Sequence, residues 1–235
     1  MTGVQTCALP IYTILCNHAT GLVEEYIQKA IEKKIDIFGF TEHAPMDFDE
    51  KYRLPFNAIE FYESTIKYFK DKYKDDIELL LGYEVDFMQS IPMKSEIFNS
   101  NVDYLIGSIH FLESKNSDDK TPWGFDNPEF IGKYKSKDID QIWIDYFNAI
   151  SLLAKSRKFD IVGHLDLIKV FKFMPKGDIK QIAHKALKQI KESNMVIEVN
   201  AAGLRKPIAE PYPSRLLLEL AFELGIDITF SSDAH

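Results

Sequence analysis

Short apolar runs alternate with amphipathic stretches through most of this chain, and the two kinds of segment carry different periods. IDIFGF, LLLGY, YLIGSI, FDIVG, VIEV and IDITFSS are rich in Ile, Leu, Val and Phe. Runs this short predict strands covered on both faces, as in a parallel sheet. Between them, LVEEYIQKAIEKK sets Leu22, Val23, Tyr26, Ile27, Ala30 and Ile31 at helical spacing, with Thr20 as the candidate cap. AIEFYESTIKYFKDKY and QIAHKALKQI read as further helices. The alternation predicts an α/β fold of the β/α-barrel kind, in which the C-terminal ends of the strands converge on one rim.

The residues at the end of each run point to chemistry. IDIFGF leads into Thr41, Glu42 and His43; LLLGY into Glu84; YLIGSI into His110; FDIVG into His164, Leu165 and Asp166; VIEV into Asn200; IDITFSS into Asp233, Ala234 and His235. Of the 6 histidines, four stand at this one topological position and His18 lies near the end of a first strand. Only His184 falls in mid-helix, where a half-buried structural role is expected. A lone histidine after a strand is ordinarily a satisfied core or loop residue, but four in register on one rim predict a multinuclear metal site. Glu84 is the foremost carboxylate, because one carboxylate can bridge two cations ~3.5–4 Å apart. Asp86, two residues on, is either a partner of a ligand or a helix cap. His164 and Asp166 share one side of a strand end, so Asp166 is placed to accept the distal N–H of a ligand histidine. Mixed imidazole and carboxylate ligation suits Zn, Fe or Mn.

Composition narrows the partners. At 235 residues the chain fits one domain of barrel size. A formal net charge of −8 without any basic stripe argues against nucleic acid. Lys-rich stretches such as KYFKDKYKDD alternate in sign and read as solvated helix faces. An anionic small-molecule substrate therefore has to be held locally, by cations and a few basic side chains. Arg205, in AGLRKP, is the first candidate phosphate clamp, since a guanidinium matches phosphate bidentately; its alternative is a surface ion pair. Lys206 and Arg53 are weaker candidates. No apolar run approaches the ~20 residues needed to span a bilayer. The 2 cysteines are too few for a disulfide framework and point to the reducing cytoplasm. ESKNSDDK, residues 113–120, is the clearest polar loop.

Both ends are unusual. Residues 1–11, MTGVQTCALPI, lack the basic and apolar regions of a signal peptide and resemble the in-frame translation of a common sequencing adapter. On that reading Tyr12 comes from a fused codon, and the native domain runs over residues 12–235. At the other end, Asp233-Ala234-His235 follows a strand directly, where a barrel is expected to continue into a covering helix.

TEHAP, GYEVD, GSIHFL, WGFDNPEF, GHLD, EVNAAGLRKP, EPYPS and SSDAH together resemble the histidinol-phosphatase branch of the PHP (polymerase and histidinol phosphatase) superfamily, from about Leu15 to His235. The resemblance implies a distorted seven-stranded, TIM-barrel-like β/α barrel, here truncated at both ends, with a site for two or three divalent transition-metal ions. It implies that Glu84 bridges two cations and that His110 and His164 complete one of that pair. His18, His43 and His235 then hold a third, and Asp233 completes the first, which makes Glu84 and Asp233 the catalytic carboxylates. The family's opening His-x-His falls at positions 10 and 12, where this chain has Pro10 and Tyr12. Activity is therefore expected to be impaired in the chain as it stands. The implied reaction is hydrolysis of L-histidinol phosphate to L-histidinol and phosphate, in histidine biosynthesis. The alternatives are hydrolysis of another small phosphate ester or a nucleotide, or a non-catalytic metal-binding remnant.

Overall fold

A computed structural model describes residues 7–11, 13, 15, 20–113 and 121–233. His18, His235 and residues 114–120 of the polar loop lie outside the described residues. All six expected strands are present: β2 (Ile37–His43), β3 (Glu78–Asp86), β4 (Tyr104–Ser108), β7 (Ile161–Val162), β8 (Val196–Asn200) and β9 (Ile228–Ser231). A further strand, β1 (Cys7–Ile11), precedes them, and the sheet order is β1-β2-β3-β4-β7-β8-β9. β5 (Phe111–Leu112) and β6 (Trp123–Gly124) form a separate antiparallel pair. The pairings of β1 with β2, β2 with β3 and β7 with β8 are parallel. Helices α1 (Val23–Glu32), α2 (Ile59–Lys72), α3 (Ser95–Phe98), α4 (Ile139–Ser156), α5 (Ile179–Glu192) and α6 (Arg215–Glu223) fall between strands. The chain divides into two compact units, Met1–Val85 with Lys94–Ile106 and Thr229–His235, and Asp86–Met93 with Gly107–Ile228.

In the first unit, β1 pairs with β2 through Cys7↔Ile37, Ala8↔Phe38 and Ile11↔Phe40, and the register shifts between Ala8 and Ile11. Pro10 has no N–H to give to a ladder and falls inside that shift, where its loss is tolerated. Because a ladder is made by backbone groups, β1 forms on this segment whatever its origin. α1 begins two residues later than Thr20 suggests. Gly21, at φ +89°, turns the chain so that Leu22 becomes the N-cap, and the Glu25 carboxylate accepts the Leu22 N–H at 2.7 Å. Thr20 instead offers its carbonyl to the Tyr26 hydroxyl at 2.7 Å. α2 buries Tyr62 and Ile66, and Tyr62 donates to the Gly82 carbonyl at 2.9 Å. A Cβ at Gly82 would meet the Tyr104 ring at 2.6 Å; its absence lets Tyr104 cross β3 and hydrogen-bond Thr41 Oγ1.

The second unit is organised by α4. Asp138 caps it by accepting the Gln141 N–H, and Arg157, in the left-handed region at φ 53°, ends it. Ile142, Trp143, Tyr146, Phe147, Ile150 and Leu153 are buried at helical spacing, which supplies most of what holds an amphipathic helix in place. α5, capped by Asp178, buries Ala183, Ala186, Leu187 and Ile190. His184 lies on its opposite face and is exposed rather than half-buried, because the apolar stripe of α5 runs past it.

Candidate metal centre

Parallel pairing in register decides which side chains meet. His43, the last residue of β2, is paired with Glu84, two residues before the end of β3, so their side chains leave the sheet on the same face. His43 Nδ1 lies 3.3 Å from Glu84 Oε2, and Glu84 is 2% exposed. Backbone contacts fix both residues: the Ala44 N–H donates to the Glu84 carbonyl at 2.8 Å and the Leu54 N–H to the His43 carbonyl at 3.1 Å. Glu42, pointing the other way along β2, is fully buried and accepts the Thr13 N–H at 2.6 Å. Arg53 is buried and paired with Asp49 at 3.2 Å.

In the second unit, the ring centroids of His110 and His164 lie 4.8 Å apart at 62°. Asp86 is buried with Oδ1 2.8 Å from His110 Nδ1. That contact assigns the role the sequence left open for Asp86. By accepting a hydrogen bond from Nδ1–H it orients the ring and leaves the Nε2 lone pair for a cation. His164 is 4% exposed and holds φ 24°, a left-handed conformation that costs a β-carbon-bearing residue about 1–3 kcal/mol. Three contacts hold it there. Its N–H donates to Glu198 Oε2 at 2.6 Å, and its carbonyl accepts the Leu167 N–H at 2.8 Å and the Tyr146 hydroxyl at 3.3 Å.

Asp166 has a different role from the one expected. Its carboxylate accepts the Ser214 N–H at 2.8 Å and pairs with Lys169 Nζ at 3.1 Å, both side chains being 1% exposed. Lys169 also reaches Glu210 Oε1 at 3.1 Å and the Pro211 carbonyl at 2.9 Å. Burial pushes the Asp166 carboxyl above its usual range even with this ammonium beside it. The Asp166 carboxylate is thus engaged by Lys169 and the 210–214 segment.

Two residues escaped the sequence. Asp126 follows β6; the Phe125 N–H donates to the His110 carbonyl at 3.3 Å, which brings the WGFDN turn beside the first imidazole. Burial raises its carboxyl, with His110 and His164 pulling the other way and Asp86 adding repulsion. Glu198 is the second, 1% exposed in mid-strand. A signal was available for it: Glu198 and Asn200 are two apart at a strand end, hence on one face, where an apolar strand has no reason to carry both.

Glu84, His110 and His164 each offer a ligand atom within 4.8 Å of the others, the group among the described residues that could hold a metal ion. One buried carboxylate and two imidazoles, one with its tautomer set by Asp86, fit a transition ion of the zinc type. Arg205 and Lys206 are exposed at the end of the one-turn helix Ala201–Arg205, and Asp233 is half-buried at φ 48°.

Comparison with known proteins bears on the family and the fold. The PHP domain model matches residues 11–202. A Deinococcus radiodurans protein named "Probable histidinol-phosphatase" is 35% identical over 243 residues, covering 100% of this chain and 87% of that protein. A Listeria monocytogenes structure assigned as a histidinol phosphatase superposes with a TM-score of 0.85 at 22% identity, covering 98% of this chain and 95% of that one. A Lactococcus lactis histidinol phosphate phosphatase, solved with zinc, L-histidinol and phosphate, gives a TM-score of 0.72 at 20% identity over 98% of this chain and 86% of that one. These likenesses establish the expected α/β, distorted TIM-barrel-like architecture. The chain belongs to the PHP domain family, on its histidinol-phosphatase branch.

Proposed function

We propose that this protein is a metal-dependent phosphomonoesterase that hydrolyses L-histidinol phosphate to L-histidinol and phosphate. The observation that carries the proposal is the convergence of Glu84, His110 and His164 in a chain 35% identical along its whole length to a relative of that name. The substrate is a small phosphate ester, and two or three divalent transition ions are the cofactors.

Bound ions of this kind supply Lewis-acid stabilisation of phosphoryl oxygens and lower the cost of generating hydroxide near neutral pH. The chain's own residues do the rest. Glu84, together with His110 and His164, would hold a cation, and His43, whose Nδ1 lies 3.3 Å from Glu84 Oε2, would ligate another together with His18 and His235. Asp86 keeps the proton of His110 on Nδ1. Arg205, with Lys206 and Arg53 as further basic groups, would hold the phosphate. Asp233, His18 and His235 complete the proposed ligands. His18 and His235 lie outside the described residues. Among described residues no helix is long and apolar enough to cross a membrane. The chain carries 2 cysteines, which supports the cytoplasm as the working compartment.

Chelation tests the metal requirement. Phosphate release from L-histidinol phosphate is expected to fall to background after dialysis against EDTA and to return on adding zinc, manganese or ferrous ion. Full activity after stripping, verified by elemental analysis, would contradict the proposal.

A further inference from the structure

The outstanding feature is a metal-ligand candidate whose backbone is strained and whose N–H is taken by a buried acid. β7 lasts two residues, with Ile161 and Val162 paired to Val196 and Ile197. The Gly163 N–H still reaches the Gly107 carbonyl at 3.0 Å, and there the chain leaves the ladder. At His164 a buried N–H would otherwise lose its partner. Glu198, on the neighbouring strand β8, reaches across with Oε2 to accept that N–H at 2.6 Å. The same oxygen accepts Asn200 Nδ2 at 3.1 Å, and Asn200 Oδ1 accepts the Ala202 N–H at 2.8 Å, capping the turn that leads to Arg205. Asn200 also exchanges both backbone hydrogen bonds with Tyr212, at 2.6 and 2.9 Å, and the Tyr212 ring stands 6.5 Å from that of His164 at 76°. One carboxylate thus ties the left-handed His164 to the turn bearing the basic residues and to the aromatic wall behind the imidazole.

We propose that Glu198 is a positioning residue for the metal centre, acting through the His164 backbone and, via Asn200, on the turn 201–205. This rests on His164 being a ligand, as in the proposed function, and not on the identity of the phosphate ester. Without the Glu198 acceptor, His164 is free to relax towards negative φ, which swings its ring away from His110. A purely structural acid would leave metal affinity alone.

The test is cobalt binding by the full chain, stripped with EDTA and titrated with Co²⁺ while visible absorption and thermal unfolding are followed. Glu198→Ala, which removes the acceptor, and Glu198→Asp, which withdraws it by one methylene, are expected to weaken the tight cobalt site roughly 10–100-fold. Glu198→Gln keeps an oxygen in place and is expected to stay within about fivefold of the parent, with the parent's spectrum. If Glu198→Ala does not fold, Glu198→Asp decides: parental affinity there overturns the proposal. Failure of the parent itself to bind cobalt overturns both this inference and the metal reading. Normal cobalt binding without turnover of histidinol phosphate would leave the positioning role intact and defeat only the substrate assignment.

Discussion

Glu84→Gln is expected to strip transition metal from the protein while leaving it folded. Glu84 stands at the end of β3, 2% exposed, in register with His43 and within 4.8 Å of ligand atoms on His110 and His164. Gln has the same shape and the same backbone propensity in a strand, so the parallel ladder and the Ala44 hydrogen bond to the residue 84 carbonyl survive. The variant loses the anionic charge that offsets two or more cationic charges, and the ability of both oxygens to ligate. Metal content by elemental analysis should fall to near zero at sub-micromolar free metal, with an unchanged circular dichroism spectrum. Turnover should drop by ~10²–10³, corresponding to several kcal/mol of lost Lewis-acid stabilisation. His184→Ala is the control: exposed on the outer face of α5, it should leave metal content as it was. Unchanged metal in Glu84→Gln would remove Glu84 from the centre.

The second large effect is a gain. If the opening His-x-His of the family belongs at positions 10 and 12, the Pro10→His/Tyr12→His double variant should recover a missing cation position. β1 lies parallel to β2 as far as Ile11, Tyr12 lies outside the described residues, and replacing Pro10 restores an N–H to the ladder where the register now shifts. Metal stoichiometry should rise by one ion, and turnover on L-histidinol phosphate by ~10²–10³. Resequencing the natural locus across this junction provides an independent check, with His expected at position 12. An unchanged stoichiometry in the double variant, or a natural gene encoding Pro10-Ile11-Tyr12, would defeat this reading.

Much of this architecture was legible because strand and candidate ligand are adjacent in sequence. An apolar run too short for a helix, ending in His, Glu, Asp or Asn, specifies the element, and β2, β3, β4, β7, β8 and β9 all form where such runs occur. Residues that act through tertiary contacts were harder to place. Nothing local distinguishes Asp86, which meets His110 at 2.8 Å, from Asp166, which meets Lys169 and Ser214. Both follow a candidate ligand by two positions, and only the path of the chain after it separates them. Glu198 resembles an ordinary alternating strand residue until the early departure of β7 leaves the His164 N–H in need of an acceptor. Thr20 lost its capping role to Leu22 and Glu25 because Gly21 turns the chain first.

Histidinol-phosphatase activity itself is tested most directly by steady-state phosphate release on L-histidinol phosphate beside a panel of sugar phosphates and nucleotides, using the Pro10→His/Tyr12→His protein loaded with zinc or manganese. The expected result is a kcat/KM for L-histidinol phosphate at least ~100-fold above every other ester, equivalent to about 2.7 kcal/mol of preferential transition-state binding. Equal rates across the panel, with metal bound and the fold intact, would contradict it.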